Sequence, residues 1–142
     1  MTKYIVKPEG GVVDNLVTLE PEDDAAYQSL GYSWRMPTKE EVQELIDNCT
    51  WEETTDMGVN GYRVTSKKAG YTEAYIFLPK AGARTDSSES GVGSRICYWS
   101  SSFNVESTDR ACYISNYYSN TIMCDPGASR THGLTIRPVV PR

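Results

Sequence analysis

The strongest periodic signal in the chain runs from Thr38 to Cys49. Val42, Leu45, Ile46 and Cys49 recur at helical spacing, while Glu40, Glu44 and Asp47 take the opposite side. Thr38 followed by Glu41 is a capping box, in which each residue satisfies an amide at the start of the helix. An amphipathic helix lying on a sheet is predicted, and its carboxylates are solvent-facing rather than catalytic. A shorter helix is expected from Pro21 to Leu30. Its acidic residues stand at the positive end of the dipole, Ala26, Tyr27 and Leu30 share a face, and Gly31 is the stop. Elsewhere the pattern shortens to that of strands. Tyr4–Val6 reads as an edge strand and Leu16–Leu19 as a weaker one. Trp51–Thr55 and Tyr62–Ser66 form a hairpin around Asn60-Gly61, and Ala74–Leu78 is a central strand. Ala81–Ser94, rich in Gly, Ser and charge, is a long surface loop.

The stretch 95–139 has a different character. Two apolar blocks, Ile96–Phe103 and Leu134–Val140, read as core strands around a polar and tyrosine-rich middle. Arg110–Tyr117 is a strand in that middle. Period two puts Cys112, Ile114 and Asn116 on one face, with Cys112 and Ile114 inward, and Tyr113, Ser115 and Tyr117 on the other. Ser119-Asn120 is the turn and Thr121–Cys124 the return, with Ile122 and Cys124 on the tyrosine side. Cys124-Asp125-Pro126-Gly127 is the next turn. The expected binding surface comprises Glu106, Thr108, Asp109, Tyr113, Ser115, Tyr117, Tyr118, Ile122, Cys124, Asp125, Ser129, Arg130, Thr131 and His132. Tyrosine gives large amphipathic contact area at little rotamer cost, and charged residues supply a polar rim. The plainer alternative is that the rings merely cover a sheet face.

A length of 142 residues fits one domain spanning 1–142. A net charge of −5 argues against a non-specific nucleic-acid surface. No run of 18 apolar residues would cross a membrane as a helix, and no signal peptide follows Met1. Cys49, Cys97, Cys112 and Cys124 contain no C-x-x-C pair, so a structural zinc site is not expected and free thiols are. With a single histidine, a triad of Ser129, His132 and Asp125 can be drawn but has no support beyond composition. Asp86, Glu89, Asp109 and Asp125 are too dispersed for calcium. No cofactor and no enzymatic activity are expected.

Several segments carry a family resemblance in one order. They are Leu19–Ala26, Trp34-Arg35-Met36-Pro37-Thr38, Glu44–Trp51, Gly58–Tyr62, Ile76–Pro79, Tyr98–Ser102 and Ile136–Val139. Together they resemble the major paralogous domain family first noted in Fibrobacter and abundant in Bacteroides, whose members are similar to C-type lectins and sulfatase-modifying factors. The segment before Leu19 departs from the family pattern, which implies a compact N-terminus. The resemblance implies an α+β, C-type lectin-like fold with two short helices on antiparallel strands. The variable proteins of diversity-generating retroelements share that fold. Residues 95–139 resemble their variable region, with scaffold-like Trp99, Ser100, Ser101, Gly133, Ile136 and Arg137 around changeable positions. The implied function is non-enzymatic binding of a protein or glycan ligand at a cell surface. The alternatives are a structural module of a surface or fimbrial protein, in which the same face packs on a neighbouring subunit, and a sulfatase-modifying-factor-like enzyme.

Overall fold

The computed structural model describes residues 3–118 and 121–141. The architecture is α+β. Two short helices, α1 (Ala25–Leu30) and α2 (Lys39–Asn48), accompany strands paired antiparallel in three sheets. The first sheet orders β1 (Cys49–Asp56), β2 (Val59–Ser66) and β3 (Tyr75–Pro79) in sequence. The second is small, with β4 (Ala83–Thr85) between β5 (Ser88–Ser90) and β9 (Gly133–Leu134). The third orders β6 (Cys97–Phe103), β7 (Arg110–Ser115) and β8 (Met123–Ser129). Among the described residues no helix is long and apolar enough to cross a membrane.

Helix α2 forms as its sequence predicts. Thr38 Oγ1 accepts from the Glu41 amide at 3.3 Å, and the Glu41 carboxylate accepts from the Thr38 amide at 3.0 Å. Arg35 holds the same carboxylate from the side, at 2.6 and 2.7 Å. Val42 is buried, and Leu45, Ile46 and Cys49 pack beside it. Helix α1 begins later than the proline suggests, because Asp24 is its cap. Asp24 Oδ1 accepts from the amides of Ala26 and Tyr27, and Oδ2 takes the Met36 amide at 2.8 Å. Leu30 is exposed rather than packed.

Several strand expectations need correction. The β1–β2 hairpin turns at Met57-Gly58, whose φ angles of 48° and 83° suit a two-residue turn. Asn60-Gly61 lies inside β2 instead. A Cβ on Gly61 would stand 2.4 Å from Phe77 Cζ, so this glycine serves close packing. Strand β3 is an edge, not a centre. The expected loop 81–94 contains the β4–β5 hairpin. Neither Tyr4–Val6 nor Leu16–Leu19 is a strand, although Thr18 bridges to Ser102. The Asp14 carboxylate draws off the amides of Tyr4, Ile5 and Leu16 that a ladder would need. The closing block contributes β9 and isolated bridges, Tyr98 to Thr135 and Arg35 to Val139.

The main core joins α2 to the first and third sheets through Val42, Tyr62, Val64, Leu78, Ile96, Tyr98 and Ile114. A second cluster of Tyr4, Phe103 and Ala111 packs with Leu16, Leu19 and Trp99. The serine run of β6 ties these parts together. Between Trp99 and Phe103 the register shifts, so Ser100–Ser102 bulge. Ser100 Oγ donates to the Cys112 carbonyl at 2.8 Å, and Ser102 Oγ accepts the Lys39 amide at the start of α2. Ser101 donates its amide to Pro37 and accepts from Leu19. The hydroxyls and backbone of this serine run thus bind three backbone segments, at Cys112, Pro37–Lys39 and Leu19.

Candidate functional site

Strands β7 and β8 hold five of the fourteen expected site residues and their flanking loops the rest, and the strand register decides where those five point. Ile114 pairs with Cys124 and Tyr113 with Asp125. Paired residues share a face. Cys112, Ile114 and Cys124 therefore share the side toward α2, whose Lys39, Glu40 and Gln43 line a cleft with both cysteines. Ala111, Tyr113, Ser115 and Asp125 face the other way.

Cys112 and Ile114, predicted inward, are buried, and Asn116 on the same alternation is buried too. On the outer face Tyr113 is half-buried, edge-on to Trp99 at 6.2 Å between centroids. Tyr117 and Tyr118 are 52% and 74% exposed, with their rings edge-to-face at 4.9 Å. The Arg95 guanidinium lies 4.2 Å from the Tyr117 centroid, a cation–π contact. The Tyr117 amide donates to Ser115 Oγ at 3.0 Å, which fixes the chain where the ring pair leaves β7.

Four expected surface residues lie elsewhere. Ser115 is fully buried, because its hydroxyl serves that turn. Ile122 and Cys124 pack against the main core, since the register pairs Cys124 with Ile114 rather than with a tyrosine. Asp125 is buried, and its Oδ1 accepts the Gly127 amide at 2.7 Å. Cys124–Gly127 is thus part of β8 and not a free turn. Pro126 and Gly127 together oppose Cys112 as a bulge, and proline is tolerated because β8 is an edge strand. The expected turn at Ser119-Asn120 lies outside the described residues.

The remaining residues gather at the far end of the ladder, where Arg110 pairs with Ser129. That is roughly 17 Å from the Ser115 end at the usual rise per residue. Glu106 is exposed, 3.4 Å from Lys7 Nζ. Asp109 is exposed, and the Ser107 hydroxyl at 2.7 Å holds its carboxyl below the ordinary range. Thr108 is half-buried against Gly10. Ser129 Oγ and Thr131 Oγ1 are 3.0 Å apart, and the His132 amide closes the turn onto the Ser129 carbonyl. Thr131 is exposed and His132 half-buried.

Arg130, expected at the rim, is instead a clamp. Its guanidinium lies 4.7 Å from the Phe103 centroid and donates to the carbonyls of Thr108, Tyr4 and Lys3. Burial lowers its pKa from the ordinary value. One predicted surface is therefore two: a tyrosine tip at the Ser115 end and a polar turn cluster at the Arg110 end.

Comparison with protein-family models, curated proteins and solved structures returns no match to this chain.

The chemistry of the reactive groups follows from burial. All four cysteines are free thiols. Desolvation raises the pKa of each, Cys124 to about 11, so none is an activated nucleophile near neutral pH. The residues of the drawn triad have other partners, Ser129 with Thr131 and Asp125 with Gly127. One acidic group, Glu20, Glu22 and Asp23, has the spacing of a metal site. Lys3 Nζ already sits among these carboxylates, 2.6 Å from Glu20 and Asp23 and 3.2 Å from Glu22. Sequence reasoning missed Arg95 and the 38%-exposed Met123. Arg95 stands at the start of the displayed stretch, but its stacking on Tyr117 depends on a fold that brings residues 22 positions apart together.

Proposed function

We propose that this protein is a non-enzymatic ligand-binding domain of C-type lectin-like type, acting at a cell surface or outside the cell. Its contact surface is the tyrosine tip: Tyr117 and Tyr118, backed by Arg95 and flanked by Tyr113. The observation that carries the reading is the exposure of two adjacent rings, edge-to-face with each other and one of them stacked on a cation, at the end of a buried strand. Rings held this way present amphipathic area that loses little rotamer freedom on binding, the property that makes tyrosine frequent in paratopes. Protein or glycan is the ligand class, and no metal or cofactor takes part. The polar cluster of Asp109, Ser129, Thr131 and His132 is a separate rim on this reading, engaged only by a ligand large enough to span β7.

Positions between the scaffold-like Ser101 and Gly133, Tyr113, Tyr117, Ser129 and Thr131 among them, are also those a retroelement would vary. In this proposal the β6 serine run and Arg130 belong to the scaffold, while Tyr117, Tyr118 and Thr131 are free to change. The test screens the full chain and its Tyr117→Ala/Tyr118→Ala variant on protein and glycan arrays. The proposal expects ligands captured by the parent and lost by the variant, with both melting within about 4 °C of each other. Ligands retained by the variant, or captured by neither protein, overturn it.

A further inference from the structure

Helix α2 also borders a groove of about 1020 Å³, whose apolar lining includes Trp34, Leu45, Ile76 and Val140 above the buried Leu78 and Tyr98. Trp34 and Val140 are 39% and 54% exposed, so the groove opens at the surface. Strand β3 forms one wall, and its outer edge is unpaired. The Ser66 amide bonds to the Ala74 carbonyl and the Lys80 amide to the Asn60 carbonyl. In an antiparallel ladder of this register Ile76 and Leu78 also bond to β2. Tyr75, Phe77 and Pro79 therefore aim their backbone groups away from β2. The Tyr98 hydroxyl takes the outward Pro79 carbonyl at 3.0 Å, which places the groove floor beside that edge. Among the described residues the outward amides and carbonyls of Tyr75 and Phe77 have no protein partner.

Charge gives the site a direction. The protein is acidic, yet Lys67, Lys68 and Arg137 line this groove. Of the glutamates of the α2 wall, Glu41 is held by Arg35. We propose that the groove binds an extended peptide of a partner protein. The peptide adds to the free edge of β3 as a fourth strand, buries alternate apolar side chains, and sets an acidic side chain or its terminal carboxylate against Lys68 and Arg137. This is strand addition, in which backbone bonds supply affinity and alternate pockets supply specificity.

The test uses immobilised hexapeptides alternating valine and threonine, with glutamate or lysine at one end, probed with the full chain. Glutamate-ended peptides are expected to bind and lysine-ended ones not. Tyr75→Pro removes an outward amide that β2 does not use, and like Tyr75→Ala it removes the ring that stacks on Arg63, so the alanine variant is the control for the ring. The proline variant is expected to bind roughly tenfold more weakly, about one hydrogen bond, and the alanine variant like the parent. Amide exchange of Tyr75 and Phe77 in the parent gives a readout that needs no variant, with slowing expected when peptide is added. Equal binding by the two variants, binding of lysine-ended peptides as tight as that of glutamate-ended ones, no peptide binding, or unslowed exchange would each overturn the proposal.

Discussion

Trp99, paired with Tyr113 inside the third sheet, and Tyr117, just past the end of β7, do different work. Trp99 packs on the Tyr4–Phe103 cluster, so Trp99→Ala is expected to cost about 3 kcal/mol in a denaturant titration. Tyr117→Ala and Tyr118→Ala remove exposed rings and are expected to cost no more than about 0.5 kcal/mol each. Gly61 is less forgiving than its place in an Asn-Gly pair suggests. An alanine methyl there meets Phe77 and the Leu78 carbonyl at 2.4 and 2.6 Å, and about 2 kcal/mol of destabilisation is expected. The thiols set the alkaline limit. Burial raises Cys124 to about 11 and the Tyr98 phenol to about 12. A group whose pKa is higher folded than unfolded holds its proton more tightly in the native state. Its contribution is intact below the unfolded value, near 8.5 for a thiol, and is lost as pH rises through the folded one. Denaturant midpoints are accordingly expected to hold from pH 7 to about 9 and to fall toward pH 11. At this scale the sequence was readable in alternation but not in register. Cys112 and Ile114 pointed inward as their period required, whereas Cys124 turned with Ile114 because a pairing between strands, invisible locally, set its face.

Among the elements, the two helices differ in what holds their first turn. Thr38→Ala breaks a reciprocal box whose glutamate keeps Arg35, so about 1 kcal/mol is expected. Asp24→Ala leaves three amides without their acceptor, one of them from Met36 on another segment, and about 3 kcal/mol is expected by thermal or chemical unfolding. Helix α2 was legible because its cap, period and polar face all lie within a dozen residues. Strand β8 was not. Pro126-Gly127 reads as a turn in isolation and becomes a bulge only beside Cys112. The β1–β2 turn was hidden for a related reason, since Met57 adopts a positive φ that its side chain does not favour, while the better turn pair, Asn60-Gly61, was needed for packing against Phe77.

Across the molecule, residues distant in sequence share one support. Arg130 reaches back to the carbonyls of Lys3 and Tyr4, Ser102 holds the start of α2, and Arg35 bridges to Val139. Chain ends and middle are thus fastened around β6 and β7, and the Tyr117–Tyr118 tip projects from them. The candidate site was half legible. Tyrosine enrichment between two apolar blocks pointed to the tip, but nothing local distinguished Arg130, a clamp, from a rim cation. The division into support and display is tested most directly by surface display of the chain with single-site substitution libraries, sorted for survival of protease. Positions 117, 118 and 131 are expected to accept most residues, while positions 99 to 102 and 130 accept few. A profile in which Tyr117 and Tyr118 are as intolerant as Trp99 and Ser100 would contradict the account.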